Sequence, residues 1–299
     1  MSELMVLDSI AQIHRWMRRG AASHPLVAVI RHCHLPAVDP SMRFRSELYM
    51  ISLKGSVSGS MGYGRSRYDF EAGTMTFFAP GQVMQAHTMD ANFDTEGWSV
   101  AFHPDLIRRH PLGKRINQFS FFGYEVNEAL HLSEAERRSM SELVDKIERE
   151  LNQAIDRHTQ HLLCSNIELM LDYCHRYYDR QFYTRTNQSD ELVQRFESLL
   201  RDYFDQKRML DQGLPSVAYC AESLAISANY LGDLLKKETG LNAREHIHQH
   251  VIERAKTALL GTSHSISQVA YDLGFDYPAH FTKLFKNQTG MSPSEFRKH

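Results

Sequence analysis

One stretch of this chain is written twice. Residues 234–240 read LLKKETG and residues 284–290 read LFKNQTG, and Glu245 and Glu295 follow at the same offset. Upstream, Ala221, Leu224 and Ser227 parallel Ala270, Leu273 and Asp276, with the register one residue shorter. An internal repeat of this kind restricts the fold more than any composition does. Each copy reads as a short helix, a tight turn, a capping residue and a second helix.

In the first copy, Pro215 to Ser223 opens a helix with Ser216 as its cap. Val217, Cys220, Ala221 and Leu224 form its inner face. Ala221 is small where two helices cross closely. Leu224-Ala225-Ile226 makes the turn, and Ser227 caps a helix running to about Glu238. Tyr230, Leu231, Leu234 and Leu235 share its inner face, while Asn229, Gly232, Asp233 and Lys236 share the outer one. Gly240 ends it. In the second copy Gly274 supplies the turn, Phe275 plugs the core, and Asp276 is expected to cap the next helix. Pro278 sits in the first turn, where a missing N–H does no harm. Phe281, Leu284 and Phe285 face inward; Ala279, His280, Lys283 and Lys286 face outward. A helix over about Ala243 to Leu260 joins the copies. A helix-turn-helix lays its second helix in the major groove of DNA, and that groove returns to the same face every ~34 Å. Two such units on a rigid connector suit two successive turns of a duplex.

The C-terminal hundred or so residues resemble the DNA-binding domain of AraC/XylS-type transcription regulators. The signature here runs Ala221-x-x-Leu224-x-x-Ser227-x-x-Tyr230-Leu231, then Leu235-Lys236-Lys237-Glu238-Thr239-Gly240. It continues with Arg254-Ala255-Lys256, Leu259-Leu260, Ile266-x-x-Val269-Ala270 and Gly274-Phe275. It closes with Phe281-x-x-Leu284-Phe285-Lys286-x-x-x-Gly290-x-x-Pro293-x-x-Phe296-Arg297. The resemblance implies a DNA-binding regulator, an activator, with double-stranded operator DNA, RNA polymerase and a second copy of the chain as partners. On its face the expected DNA-contacting residues are Asn229, Asp233, Lys236, Ala279, His280, Lys283 and Lys286. Asn pairs with adenine, Asp accepts from cytosine N4 but repels phosphate, and an Ala methyl meets the thymine methyl. Lys237, Arg254 and Lys256 are further phosphate candidates, each weighed against a plain solvated charge.

The other two thirds of the chain read differently. Its 299 residues favour two domains, giving an α+β protein. Over residues 27–102 short β-like runs (Glu47–Leu53, Val57–Gly59, Arg67–Phe70, Met75–Phe78, Gly97–Phe102) alternate with glycines, as in a barrel or sandwich. Leu4 to Arg18 is expected to be an amphipathic helix. Residues 133–181 carry two helices, the first opened by the Ser133/Glu136 capping box. Their apolar faces must pack on the β domain, on each other or on a second copy. The polar segment 183–190 reads as the linker between a domain over 1–182 and the DNA-binding domain over 191–299, with helix-turn-helix units over about 215–240 and 265–290. By resemblance the N-terminal part is a cupin-like β-barrel that senses a small-molecule effector. Residues 73–81 resemble a cupin strand-turn with altered spacing. Tyr49, Tyr63, Phe78, His87 and Trp98 are the candidate pocket residues, each weighed against a role in the core. The competing reading is a cupin-type metal enzyme. It needs metal-ligand or acid/base spacing within 27–102, and no such spacing is visible, so neither metal nor cofactor is expected.

Charge and cysteine usage add limits. The net charge is −2, and beyond Pro215 basic residues barely exceed acidic ones. Electrostatic DNA affinity is therefore modest, and dimerisation would compensate. Four cysteines (Cys33, Cys164, Cys174 and Cys220) without CxxC spacing imply free thiols and a cytoplasmic setting. No apolar run is long enough to span a bilayer. His246, His248 and His250 have the spacing of a metal cluster, but no Cys or carboxylate set completes it. They read as surface histidines near DNA. His32-Cys33-His34 reads as packing or pocket lining.

Overall fold

The computed structural model describes residues 4–18, 20–32, 43–54, 60–63, 66–69, 73–85, 97–124, 128–184 and 186–298. The chain divides into two units, Met1–Thr184 and Arg185–His299.

In the first unit, successive strand side chains point to opposite faces, so register decides which residues meet. The strands are β1 (Leu4–Leu7), β2 (Val27–Arg31), β3 (Arg43–Ser46), β4 (Tyr49–Lys54), β5 (Ser60–Tyr63), β6 (Ser66–Asp69), β7 (Thr74–Phe78), β8 (Val83–Gln85), β9 (Trp98–Phe102) and β10 (Leu130–His131). They form two sheets, ordered β1-β3-β8-β5-β6 and β10-β7-β4-β9-β2. A closed barrel needs one continuous ladder with no edges. Among the described residues no ladder joins the sheets, and β1, β6, β10 and β2 are edges. The expected cupin-like barrel is therefore not found; the fold class is mixed helix and sheet with open sheets. Helix α1 (Ile10–Trp16) bridges the sheets. Its Ile10 and Ile13 join Leu7 and Phe44 of one sheet to Ala28, Ile30 and Ala101 of the other. The helix expected from Leu4 starts only at Ile10, capped by Ser9. Leu4–Leu7 is instead a strand, because β3 offers it a parallel partner far along the chain.

The helical face of the second sheet carries Tyr49, Ile51, Leu53, Phe77, Trp98, Val100 and Phe102, all but Tyr49 buried. After α2 (Pro104–Ile107) and α3 (Leu112–Arg115), α4 (Glu134–Leu151) and α5 (Thr159–Thr184) pack around it. The Ser133/Glu136 capping box opens α4 with both of its hydrogen bonds formed. Trp98 Nε1 donates to Ser141 Oγ at 3.3 Å, and Arg31 pairs with Asp145 and Glu148 at 2.5 and 2.6 Å. Tyr49 stacks on Phe102 and meets Phe122 edge-on. None of the described helices is long and apolar enough to cross a membrane.

The opposite face of that sheet carries a buried polar patch beside the apolar residues that meet α1. Register sets Thr76 beside Ser52 and Ser52 beside Ser99, with Thr74 beside Lys54 in the next row. Ser52 Oγ lies 2.7 Å from Ser99 Oγ, which lies 2.8 Å from His32 Nε2. Thr76 Oγ1 has no hydrogen-bond partner among the described residues. Burial lowers the Lys54 ammonium to about 7. The five expected pocket residues do not gather on one face. Strand parity places Tyr49 and Trp98 on the helix-covered side and Phe78 on the polar side. His87 and the Tyr63 side chain lie outside the described residues, as do Cys33, His34 and the run Val57–Gly59.

In the second unit, α6 (Thr186–Asp205) begins inside the segment expected to be a linker, and α5 extends to Thr184. The stretch 183–190 is polar but holds neither Gly nor Pro, so nothing in it breaks a helix. There follow α7 (Met209–Gln212), α8 (Val217–Ser223), α9 (Ala228–Thr239), α10 (Ala243–Gly261), α11 (Ile266–Asp272), α12 (Pro278–Thr289) and α13 (Pro293–Phe296). Two apolar cores result. Phe196, Leu200, Ala243 and Ile247 from α6 and α10 close the first around α8 and α9. Tyr203, Phe204, Val251, Ala255 and Leu259, from the same two helices, close the second around α11 and α12. Both lobes are thus seated on one pair of continuous helices.

Candidate nucleic-acid interface

The two helix-turn-helix units are built by the same backbone bonds. In the first turn Ala225 N–H donates to Glu222 O and Ile226 N–H to Ala221 O, both at 3.1 Å. In the second, Gly274 N–H donates to Tyr271 O at 2.9 Å and Phe275 N–H to Ala270 O at 3.0 Å. This is the Schellman pattern, with a left-handed residue just past the helix end. Ala225 has φ 58° and Gly274 φ 88°. The recognition-type helices end alike as well. Gly240 and Gly290 are left-handed, and Thr239 and Thr289 hydroxyls return to Leu235 and Phe285 carbonyls at 2.7 and 2.8 Å. Capping boxes Asn242/Glu245 and Ser292/Glu295 start the next helices, so Glu245 and Glu295 match because each fastens a helix start.

One boundary differs from the sequence reading. Ser227 caps α9 through Tyr230 N–H, but the cap of α12 is Tyr277, with no side-chain bond, and not Asp276. The second turn holds one residue more than the first. That residue is why the two copies shift register between Leu273 and Pro278. Pro278 at the first position removes one N–H that would have no intrahelical partner.

Leu231, Leu234 and Leu235 of α9, and Phe281 and Phe285 of α12, are buried. That leaves Asn229 and Lys236 exposed and Asp233 half-exposed on α9, with Ala279, His280, Lys283 and Lys286 exposed on α12. Sequence reasoning missed Tyr277, which is 64% exposed and whose ring lies 5.4 Å from that of His280. Its signal was an aromatic residue ahead of a helix-opening proline. The further phosphate candidates separate. Arg254 pairs with Asp205 at 2.5 Å and lies over the Phe204 ring, and Lys256 pairs with Glu253 at 2.7 Å. These cations are engaged within the domain.

The three histidines of α10 also separate. Two of them at i, i+4 are half-buried against α6: His246 meets the Phe196 ring and His250 the Phe204 ring. His246 Nε2 lies 2.6 Å from Thr239 Oγ1, and Arg254 Nε donates to His250 Nε2 at 3.1 Å. They are packing residues, which corrects their reading as surface histidines. Burial lowers the pKa of all three.

Residues 220–299 match the family model described as a helix-turn-helix domain. Over 228 residues the chain is 26% identical to the HTH-type transcriptional regulator YijO of Escherichia coli, covering 76% of this chain and 77% of that protein. It is 33% identical over 81 residues to the arabinose operon regulatory protein of Salmonella typhimurium, covering 27% of this chain and 29% of that one. With that second relative the likeness thus spans under a third of its length. Among solved structures, the C-terminal domain of AraT, a response regulator from Geobacillus stearothermophilus, is 28% identical. It covers 36% of this chain and 84% of that one, with a TM-score of 0.32. Residues 220–299 are a helix-turn-helix domain, similar to that of AraC-type transcription regulators.

Proposed function

We propose that this protein regulates transcription by reading two successive major grooves of operator DNA, one with α9 and one with α12. The observation that carries the reading is the duplicated turn. Two units with matched hydrogen bonds each present a polar outer face, seated on shared helices. The 19 residues of α10 span about 28 Å, of the order of one helical repeat of DNA. In this reading Asn229 and Asp233 on α9, and Ala279 and His280 on α12, meet base edges. Lys236, Lys283 and Lys286 meet phosphates. The chain acts as a regulator, not an enzyme.

The first unit supplies a small-molecule response in this reading, supported by the buried polar face of Ser52, Lys54, Thr74, Thr76 and Ser99. Of these, the buried Thr76 hydroxyl has no hydrogen-bond partner among the described residues, which is costly inside a sheet. A ligand acts only by binding one state of the protein better than another. Dimerisation through α5 is supported by Leu162 and Leu169, which lie two turns apart and are 43% and 44% exposed. Activation, and hence contact with RNA polymerase, is the direction the family resemblance gives. Selection of duplexes from a random library by the full-length protein tests the reading. Enrichment of one motif is expected, and retention blind to sequence contradicts it.

A further inference from the structure

Beside α12 lies an open cleft of about 560 Å³. Arg244 and His248 come to it from the first turns of α10, His280, Lys283 and Asn287 from α12, and Asp276 from the turn. It therefore gathers two permanent cations and two imidazoles against one carboxylate. The duplicated motif does not mark Arg244, because Ser294 stands at the corresponding position of the second copy.

The cations of this cleft differ from the other cations of the domain. Arg254 and Lys256 are held by Asp205 and Glu253. No ion pair engages Arg244 or Lys283 among the described residues, and both are exposed. A surface that only needed solubility would intersperse carboxylates with these charges. Here like charges converge on a concavity from two different helices. Concave walls of low polarisability focus the field of such a cluster. The geometry also suits one ligand shape. A guanidinium fork and an ammonium approaching from separate helices match a tetrahedral oxyanion, whose oxygens point in several directions. Asn287 adds an amide that can donate to the same group.

We propose that this cleft is a phosphate site in which Arg244 and Lys283 hold one backbone phosphate of the bound duplex. The proposal rests on the reading of α12 as a groove-entering helix. It adds the connecting helix α10 to the DNA-contacting surface. The contact fixes the depth and register of α12 without itself reading sequence. Free phosphate shares the same chemistry, and the experiment separates the two sources.

The test measures duplex affinity of the full-length protein and of Arg244→Ala between 50 and 200 mM salt. Lost contact to one phosphate reduces the slope of log K against log salt by about 0.9. The advantage of the unsubstituted protein over Arg244→Ala is thus expected to shrink about threefold across that range. Affinity falls equally on specific and scrambled duplexes, the selected motif stays the same, and thermal stability is unchanged. Arg244→Lys retains the slope and only part of the affinity. Inorganic phosphate, added at constant ionic strength, is expected to leave the duplex bound. Displacement by low phosphate from the unsubstituted protein but not from Arg244→Ala would overturn the duplex as the occupant and assign the cleft to a free anion. Unchanged affinity and slope in Arg244→Ala overturn the site altogether. If the unsubstituted protein binds all duplexes alike, the groove-reading proposal fails, while the slope comparison still reports on the cleft.

Discussion

Ala225 and Gly274 stand at the same point of the two turns, both left-handed, yet only Gly274 has another segment behind it. A Cβ at Gly274 would lie 2.8 Å from both Met209 Cβ and Met209 O, and 3.2 Å from the Gly213 carbonyl carbon. Left-handed backbone costs a non-glycine residue about 1–2 kcal/mol. The first turn bears that strain in solvent; the second cannot add the crowding to it. Gly274→Ala is therefore expected to destabilise the protein by about 2–5 kcal/mol, read as a lowered denaturation midpoint. Ala225→Gly should change stability by less than about 1 kcal/mol. Equal effects at the two positions would contradict the account of the second turn.

The histidines of α10 predict acid sensitivity. Burial lowers His246, His248 and His250 from their ordinary 6.5. Arg244 adds to the effect at His248 and Arg254 at His250, against Glu245 and Asp205. Well above pH 6.5 both folded and unfolded chains hold these rings neutral. As pH falls below it, the unfolded chain takes up protons that the folded chain resists, so stability declines through the lowered folded values. His250→Gln should flatten that acid limb in a thermal-melt series, whereas an unchanged slope would mean His250 is not buried as described.

Lys54 makes the opposite limb informative. Its folded value of about 7 lies below the usual 10.5. Between these values the unfolded chain holds a proton that the folded chain does not, so stability rises with pH by about 1.4 kcal/mol per unit. Lys54→Met should remove that rise and stabilise the protein at neutral pH. The difference between the two melts isolates Lys54 from other groups titrating in the alkaline range. A methionine variant that is less stable at neutral pH would show that the ammonium serves the fold.

Legibility followed the range of the interactions. Caps and turns are local, so Ser133, Ser216, Ser227 and Gly240 could be read directly from residue type and spacing. Asp276 failed because the turn gained one residue, which residue chemistry alone does not reveal beside a proline. Leu4–Leu7 looked helical because its parallel partner, Arg43–Ser46, is distant in sequence. The same distance hid the open edges of the sheets, since a strand run does not say which neighbour closes it. Tyr49 and Phe78 look equivalent in sequence and lie on opposite faces, because only register fixes parity between strands. Arg244 and the other residues of the cleft carry no local signal, since tertiary packing alone brings α10 beside α12.

The central claim is that two helices of one chain each read their own stretch of DNA. Duplex selection with the full-length protein, repeated with Asn229→Ala and with His280→Ala, tests it most directly. The account predicts one motif with two half-patterns about one helical turn apart. Asn229→Ala should relax one half and His280→Ala the other, each at a cost of roughly 1–3 kcal/mol for the preferred base. A single undivided pattern, or loss of the same positions in both variants, would contradict it.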